Sequence, residues 1–114
     1  DRVVLVSDTM RAAGMADGDY SLGGQPVIKK GKYATLADGT LAGSVTDLMD
    51  CMRTAVSFGI PLADAVRAAA VNPARAIGIY SRCGSLECGK WANVVLLNKD
   101  LSIRNVIFKG EVIA

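Results

Sequence analysis

The sequence contains no histidine among its 114 residues. Histidine is the commonest acid–base group near neutral pH and a frequent zinc ligand. A Ser-His-Asp triad, an imidazole-held zinc site and histidine acid–base catalysis are therefore excluded for this chain alone.

Cysteine is also scarce, and the three present, Cys51, Cys83 and Cys88, are an odd number. Their spacing forms no paired framework, which argues against structural disulfides and against a CxxC zinc pair. We interpret them as small apolar side chains of a protein in the reducing cytoplasm.

Long apolar runs and blocks of like charge are absent too. No stretch reaches the roughly 18 apolar residues of a membrane helix, and no secretory signal is visible. The 13 basic and 11 acidic residues are scattered rather than gathered into a basic stripe. We therefore expect neither a membrane nor a nucleic acid as a partner.

Apolar residues, by contrast, are abundant, at 51% of the chain with a mean hydropathy of +0.31. Small domains leave much of their surface exposed, so we expect this one to bury apolar surface against another body. That body is either the rest of a longer chain or a second subunit, and homo-oligomers are expected. The start at Asp1, directly before an apolar run, favours a segment from within a longer protein.

The first third of the chain predicts strands. The apolar run 3–6 is typical of a strand buried in a parallel sheet, ending at a polar switch. Residues 19–34 predict a small β-meander with turns at Gly23-Gly24 and Gly31-Lys32. Residues 38–44 predict a loop.

The middle of the chain predicts three helices. Ser44 and Asp47 resemble a capping box, and Gly59 suits the end of that first helix. Pro61 favours the first turn of a second helix. Asn72 and the proline after it predict the cap and first position of a short third helix.

The last third returns to strands, at residues 94–97 and 103–108 and after a turn at 109–111. The order of elements predicts an α/β fold. Residues 1–80 would supply the closing strand, the meander insertion and helices of a (β/α) barrel. Residues 81–114 would supply strands to a small β-sandwich domain.

Asp8 is the candidate catalytic group. Catalytic residues of barrels lie where strands end and βα-loops begin, and Asp8 follows the apolar run directly. A carboxylate there can act as a general base or a metal ligand. The competing interpretation is a capping aspartate.

Several segments are similar to the N-acetylglucosamine-6-phosphate deacetylases of the amidohydrolase superfamily. Two are fairly specific to the deacetylases and two to the superfamily as a whole. The first two are residues 6–24 (VSDTM, AG and DGDYSLGG) and 38–44 (DGTLAGS), and the others are 70–78 (AVNPARAIG) and 84–95 (GSLECGKWANVV).

The resemblance implies removal of the N-acetyl group from a sugar phosphate, giving glucosamine 6-phosphate and acetate. It implies a metal-dependent hydrolase (β/α) barrel in which Asp8 is the acid/base, working beside water activated by a divalent metal, zinc or similar. It also implies that Leu41, Ala42 and Gly43 contact the substrate. The structural alternative is that Gly39 and Gly43 merely shape the entry to the helix.

Family members hold the metal through a Glu and two His, and the phosphate partly through an Arg of a neighbouring subunit. By the resemblance, these lie upstream of this region, so the chain alone is expected to hold no metal and to be inactive. Two further hypotheses remain open. One is a different amidohydrolase, acting on an amino-acid or cyclic amide, and the other is a non-catalytic assembly module.

Overall fold

The computed structural model describes residues 2–114. They form two units, each treated separately below. The sheet unit is Val6–Thr54, and the helical unit is the segment up to Leu5 together with Ala55–Ala114.

The sheet unit contains a four-stranded antiparallel sheet in the order β1-β2-β3-β4. Its strands are β1 Gly18–Leu22, β2 Gln25–Lys30, β3 Tyr33–Thr35 and β4 Leu41–Gly43. The predicted meander is confirmed, and Gly23 and Gly24 both adopt the positive φ of a tight hairpin turn. The loop predicted over 38–44 is wrong in part, because its second half pairs with β3.

The core of the sheet unit is small. Its buried members are Met10, Ala12, Val27, Ala34 and Val45. Strand β2 alternates as expected for a sheet with one solvated face, except that a lysine occupies one of its two buried positions.

That lysine, Lys29, is 8% exposed and points its amine at Asp17. The Lys29 Nζ lies 2.9 Å from Asp17 Oδ1, and the Gly31 N–H donates to the same oxygen at 2.9 Å. The carboxylate thus satisfies a buried cation that the core face would otherwise leave unpaired.

Helix α1 spans Leu48–Ser57. Its cap differs from the prediction, because Asp47 Oδ1 accepts the Asp50 N–H at 2.7 Å, whereas Ser44 lies outside the helix in the segment after β4. The predicted end at Gly59 is confirmed. The N–H groups of Gly59 and Ile60 bond the carbonyls of Val56 and Ala55, which is the Schellman arrangement.

The helical unit contains one uninterrupted helical run rather than two helices. Helix α2 Leu62–Val66 passes through a π-helical turn, Arg67–Val71, into α3 Asn72–Ala76. The prediction of Asn72 as a cap is wrong, because its φ of −64° and ψ of −45° are helical. Proline in a helix lacks an N–H and crowds the carbonyl four residues back. The wider turn before Pro73 relieves that conflict.

The π-turn also frees a carbonyl. The Asn72 N–H bonds the Arg67 carbonyl instead of that of Ala68, and the Ala68 oxygen accepts the Leu5 N–H at 2.9 Å. The Asn72 side chain donates from Nδ2 to the Val3 carbonyl at 2.7 Å. The irregular helix therefore binds the apolar run through hydrogen bonds to Leu5 and Val3.

That apolar run was predicted as a strand, and this prediction is wrong for residues 3–6, which have no strand assignment. A strand needs a neighbouring strand to complete its hydrogen bonds. In the described part of the chain, the run bonds a helix turn instead.

A second sheet closes the helical unit. The strands predicted at 94–97 and 103–108 are confirmed as β5 Val94–Leu97 and β6 Ile103–Phe108, and β7 is Glu111–Val112. The three strands pair antiparallel in sequence order. The β6–β7 turn uses Lys109 and Gly110, both at positive φ. Across residues 2–114, no helix is long and apolar enough to cross a membrane. The domain boundary near residue 80 stays a prediction.

Candidate functional site

Asp8 adopts a backbone conformation that few residues accept. Its φ is +47°, in the left-handed region, and its side chain is exposed. For a residue with a Cβ this conformation costs about 1–2 kcal/mol, although Asp and Asn tolerate it best. Such strained residues cluster at functional sites, where their surroundings enforce them.

The fold brings the two predicted site segments together. Thr9 and Ser44 form an isolated parallel bridge, and the Met10 N–H donates to the Ser44 carbonyl at 2.8 Å. Because the bridge is parallel, Asp8 and Gly43 each stand one residue before the bridged pair. Thr9 and Ser44, which are 35 residues apart in the sequence, thus join their segments at one edge of the sheet unit.

Hydroxyl side chains surround this junction. We call Ser7, Thr9, Ser44 and Thr46 the hydroxyl cluster. Thr9 Oγ1 lies 2.7 Å from Ser7 Oγ and 3.0 Å from the Thr46 carbonyl oxygen. Ser44 Oγ lies 3.2 Å from Thr46 Oγ1. Sequence reasoning missed this cluster, although both segments contain the same Ser-x-Thr spacing.

The predicted substrate-contact residues lie on β4, the outermost strand in the order of its sheet. The Leu41 side chain is 67% exposed, whereas Ala42 and Gly43 are half-buried. A Cβ at Gly43 would lie 3.3 Å from both Met10 Sδ and Leu22 Cδ2. Glycine at position 43 therefore has a packing reason that is independent of any ligand.

Other carboxylates of the sheet unit are held by structural partners. The hydrogen bond from Lys29, and then that from the Gly31 N–H, lower the pKa of Asp17. The Thr40 N–H, bonded at 2.9 Å, lowers the pKa of Asp38. These interactions give both aspartates roles in stabilising turns.

The residues present do not fit a metal centre. Among residues 2–114, no group of three or more His, Cys, Asp or Glu side chains is placed to hold a metal ion. A zinc site needs at least three protein ligands.

Residues 4–113 match the amidohydrolase family. The N-acetylgalactosamine-6-phosphate deacetylase of Escherichia coli O157:H7 is 38% identical over 112 residues, covering 97% of this chain and 30% of that protein. The N-acetylglucosamine-6-phosphate deacetylase of Bacillus subtilis is 36% identical, covering 97% of this chain and 28% of that protein.

A solved structure agrees with these relatives. It is an aspartate-to-alanine variant of N-acetyl-D-glucosamine-6-phosphate deacetylase from Mycobacterium smegmatis, in complex with N-acetyl-D-glucosamine-6-phosphate. It is 38% identical with a TM-score of 0.85, and the match covers 97% of this chain and 30% of that one. The chain thus spans less than a third of the length of these three proteins. The predicted resemblance is confirmed, and the chain belongs to the amidohydrolase family.

Proposed function

We propose that the protein carrying this chain hydrolyses the N-acetyl group of N-acetylglucosamine 6-phosphate. The observation that carries the proposal is the pairing of Thr9 with Ser44. This pairing brings the segment of Asp8, which has a strained backbone and an exposed side chain, next to β4. The relatives of the chain are sugar-phosphate deacetylases.

Asp8 is the proposed acid/base. Its carboxylate accepts a proton as a water oxygen bonds to the acetyl carbon, and it returns that proton to the sugar nitrogen as the C–N bond breaks. The products are acetate and glucosamine 6-phosphate. Exposure of the side chain gives it access to a substrate.

Strand β4 is the proposed contact for the substrate. An outer strand carries backbone N–H and C=O groups that can bond a ligand, and the exposed Leu41 offers an apolar surface beside them. Because Met10 and Leu22 already crowd Gly43, we assign that residue a contact through its backbone alone.

The remaining parts of the proposed site, including its metal ligands, lie outside residues 1–114. We propose that a divalent metal, zinc or similar, is held by the remainder of the protein, since residues 2–114 contain no group of three or more side chains placed to hold it. We also propose that residues 1–80 belong to the closing part of a (β/α) barrel and residues 81–114 to a small β-sandwich domain. A cytoplasmic homo-oligomer completes the proposal.

A second candidate substrate is N-acetylgalactosamine 6-phosphate, which differs only at the C4 hydroxyl. The N-acetylgalactosamine-6-phosphate deacetylase of E. coli O157:H7 is 38% identical to this chain, and the N-acetylglucosamine-6-phosphate deacetylase of B. subtilis is 36% identical. A site that hydrogen-bonds a hydroxyl in one orientation discriminates strongly against the other.

Acetate release by the full-length protein tests the proposal. We expect kcat/KM for N-acetylglucosamine 6-phosphate to exceed that for the galactose epimer by at least about tenfold. The reverse ratio would establish the second candidate. Turnover of amino-acid or cyclic amides, with neither sugar phosphate hydrolysed, would favour a different amidohydrolase. Metal-dependent turnover by residues 1–114 alone would contradict the proposed division of the site.

A further inference from the structure

The hydroxyl of Thr9 closes a bridge across Asp8. Its oxygen lies 2.7 Å from Ser7 Oγ, so the two residues flanking Asp8 are joined through their side chains. The same oxygen lies 3.0 Å from the carbonyl of Thr46, which is 37 residues away in the sequence. One hydroxyl therefore ties the Asp8 loop to the segment between β4 and α1.

Thr9 is the donor in both bonds. A hydroxyl has one proton to donate, and a carbonyl oxygen can only accept. The single Thr9 proton is therefore shared between Ser7 Oγ and the Thr46 carbonyl oxygen. Both bonds depend on the Thr9 oxygen.

This bridge spans the strained residue. A left-handed conformation at a non-glycine position persists only where its surroundings enforce it, and the φ of Asp8 is +47°. The backbone pairing of Thr9 with Ser44 fixes the loop on the C-terminal side of Asp8. The hydroxyl bridge adds the missing restraint on the N-terminal side, through Ser7.

We propose that Thr9 is a positioning residue for the deacetylation, holding Asp8 in the orientation that transfers the proton. This inference rests on the proposed role of Asp8. The property that matters is the hydroxyl, because the methyl group of Thr9 takes part in neither bond. Displacement of a reacting group by about 1 Å can cost about a hundredfold in rate.

The test compares Thr9→Val with Thr9→Ser in the full-length protein. Valine keeps the shape and loses the hydroxyl, so kcat should fall by about tenfold or more, with KM within about twofold. Serine keeps the hydroxyl and should retain at least about a third of the rate. The matched control is Ser102→Ala, which also removes a hydroxyl with two bonds, to Asn98 and Asp100, but in the β5–β6 turn.

A Thr9→Val enzyme with kcat within about twofold of the parent, or an equal loss in Thr9→Ser, overturns the inference. If Thr9→Val does not fold, Ser7→Ala decides: a threefold or larger loss of kcat, as a rough threshold, supports it, and an unchanged kcat overturns it.

The proposed function fails separately. No acetate from either sugar phosphate overturns both ideas, and full activity in Asp8→Asn removes the role of Asp8 and this inference with it. An inactive Asp8→Asn beside a normal Thr9→Val overturns this inference alone.

Discussion

The two units use polar side chains in opposite ways. In the sheet unit, two members of the hydroxyl cluster, Ser7 and Thr9, flank Asp8, which has a strained backbone and an exposed side chain. In the helical unit, Lys90 is nearly buried, with its Nζ 2.6 Å from Ser85 Oγ and 3.4 Å from the centre of the Tyr80 ring. The charge of Asp8 therefore faces solvent, whereas the charge of Lys90 is satisfied by neighbouring side chains.

The comparison separates function from stability. Polar groups that face solvent on a rigid backbone are suited to chemistry, whereas buried and satisfied polar groups specify packing. Substitutions in the sheet unit at Asp8 should therefore change rate more than stability. Substitutions at the closest contacts of the helical unit should do the reverse.

The largest expected effect is on rate, at Asp8. Asp8→Asn removes the proton acceptor, and we expect kcat to fall by about 10³-fold. Asparagine adopts the left-handed conformation readily, so the melting temperature should stay within about 2 °C of the parent. Acetate release and thermal unfolding of the full-length protein measure the two quantities.

Asp8→Ala is the matched control for backbone strain. Alanine tolerates positive φ less well, so this variant should lose activity and also about 1 kcal/mol of stability. If Asp8→Asn destabilises the protein as much as Asp8→Ala, the carboxylate is structural. That result would contradict the claim that substitutions at Asp8 change rate more than stability.

The next largest effect is on stability, at Gly84. Its φ is +96°, and an added Cβ would lie 2.7 Å from Ala74 Cβ and 3.1 Å from the Ala70 carbonyl oxygen. Overpacking and backbone strain together should make Gly84→Ala cost about 3 kcal/mol in unfolding free energy.

Gly89→Ala isolates the strain from the clash. Gly89 has a similar φ of +89°, but nothing lies within 4 Å of the added carbon, so we expect a loss of about 1 kcal/mol. Equal losses at the two glycines, measured by denaturant unfolding, would show that close packing at Gly84 is unimportant.

A smaller loss of stability is expected at Asn72. This side chain is 5% exposed and donates to the Val3 carbonyl, while its Oδ1 has no partner among the described residues. Asn72→Asp replaces the donor by an acceptor facing a carbonyl and should cost about 2 kcal/mol. Asn72→Leu loses the bond but also the unpaired oxygen, and should cost about 1 kcal/mol. A larger loss in the leucine variant than in the aspartate variant would contradict this account of the bond from Asn72 to Val3.

Local signals in the sequence predicted the features that need only neighbouring residues. The glycine pair at 23–24 specified its hairpin turn, and Gly59 specified the end of α1. Each depends on a backbone conformation that glycine alone adopts easily.

Features that depend on residues distant in the sequence were not predicted correctly. Asn72 has the features of a cap, yet it lies inside a helix because a π-turn accommodates Pro73 and its side chain reaches Val3. Leu41–Gly43 has the glycine content of a loop, yet it pairs with β3. Asp8 and Leu41–Gly43 were assigned as site residues by resemblance. The structure joins their two segments through the bridge of Thr9 with Ser44, and their roles stay predictions.

The smallest expected effect concerns pH, through Asp17 in the sheet unit. Because bonds from Lys29 and the Gly31 N–H lower its pKa below the usual 3.8, the folded state binds the proton less readily than the unfolded chain does. The resulting stabilisation is fully present above about pH 4 and is lost as pH falls through the lowered pKa.

Asp17→Asn should therefore reduce stability at neutral pH and leave a flatter dependence below about pH 4. Denaturant midpoints between about pH 6 and pH 2 measure this slope, and Asp19→Asn, which removes the same charge two residues away, is the control. A parallel loss at every pH would mean that Asp17 acts through turn geometry alone. Because asparagine at position 17 does not bind a proton, the part of the slope that arises from the lowered pKa of Asp17 should disappear. The pair of Asp17 and Lys29 would then show that the sheet unit, like Lys90 in the helical unit, also uses charge for packing.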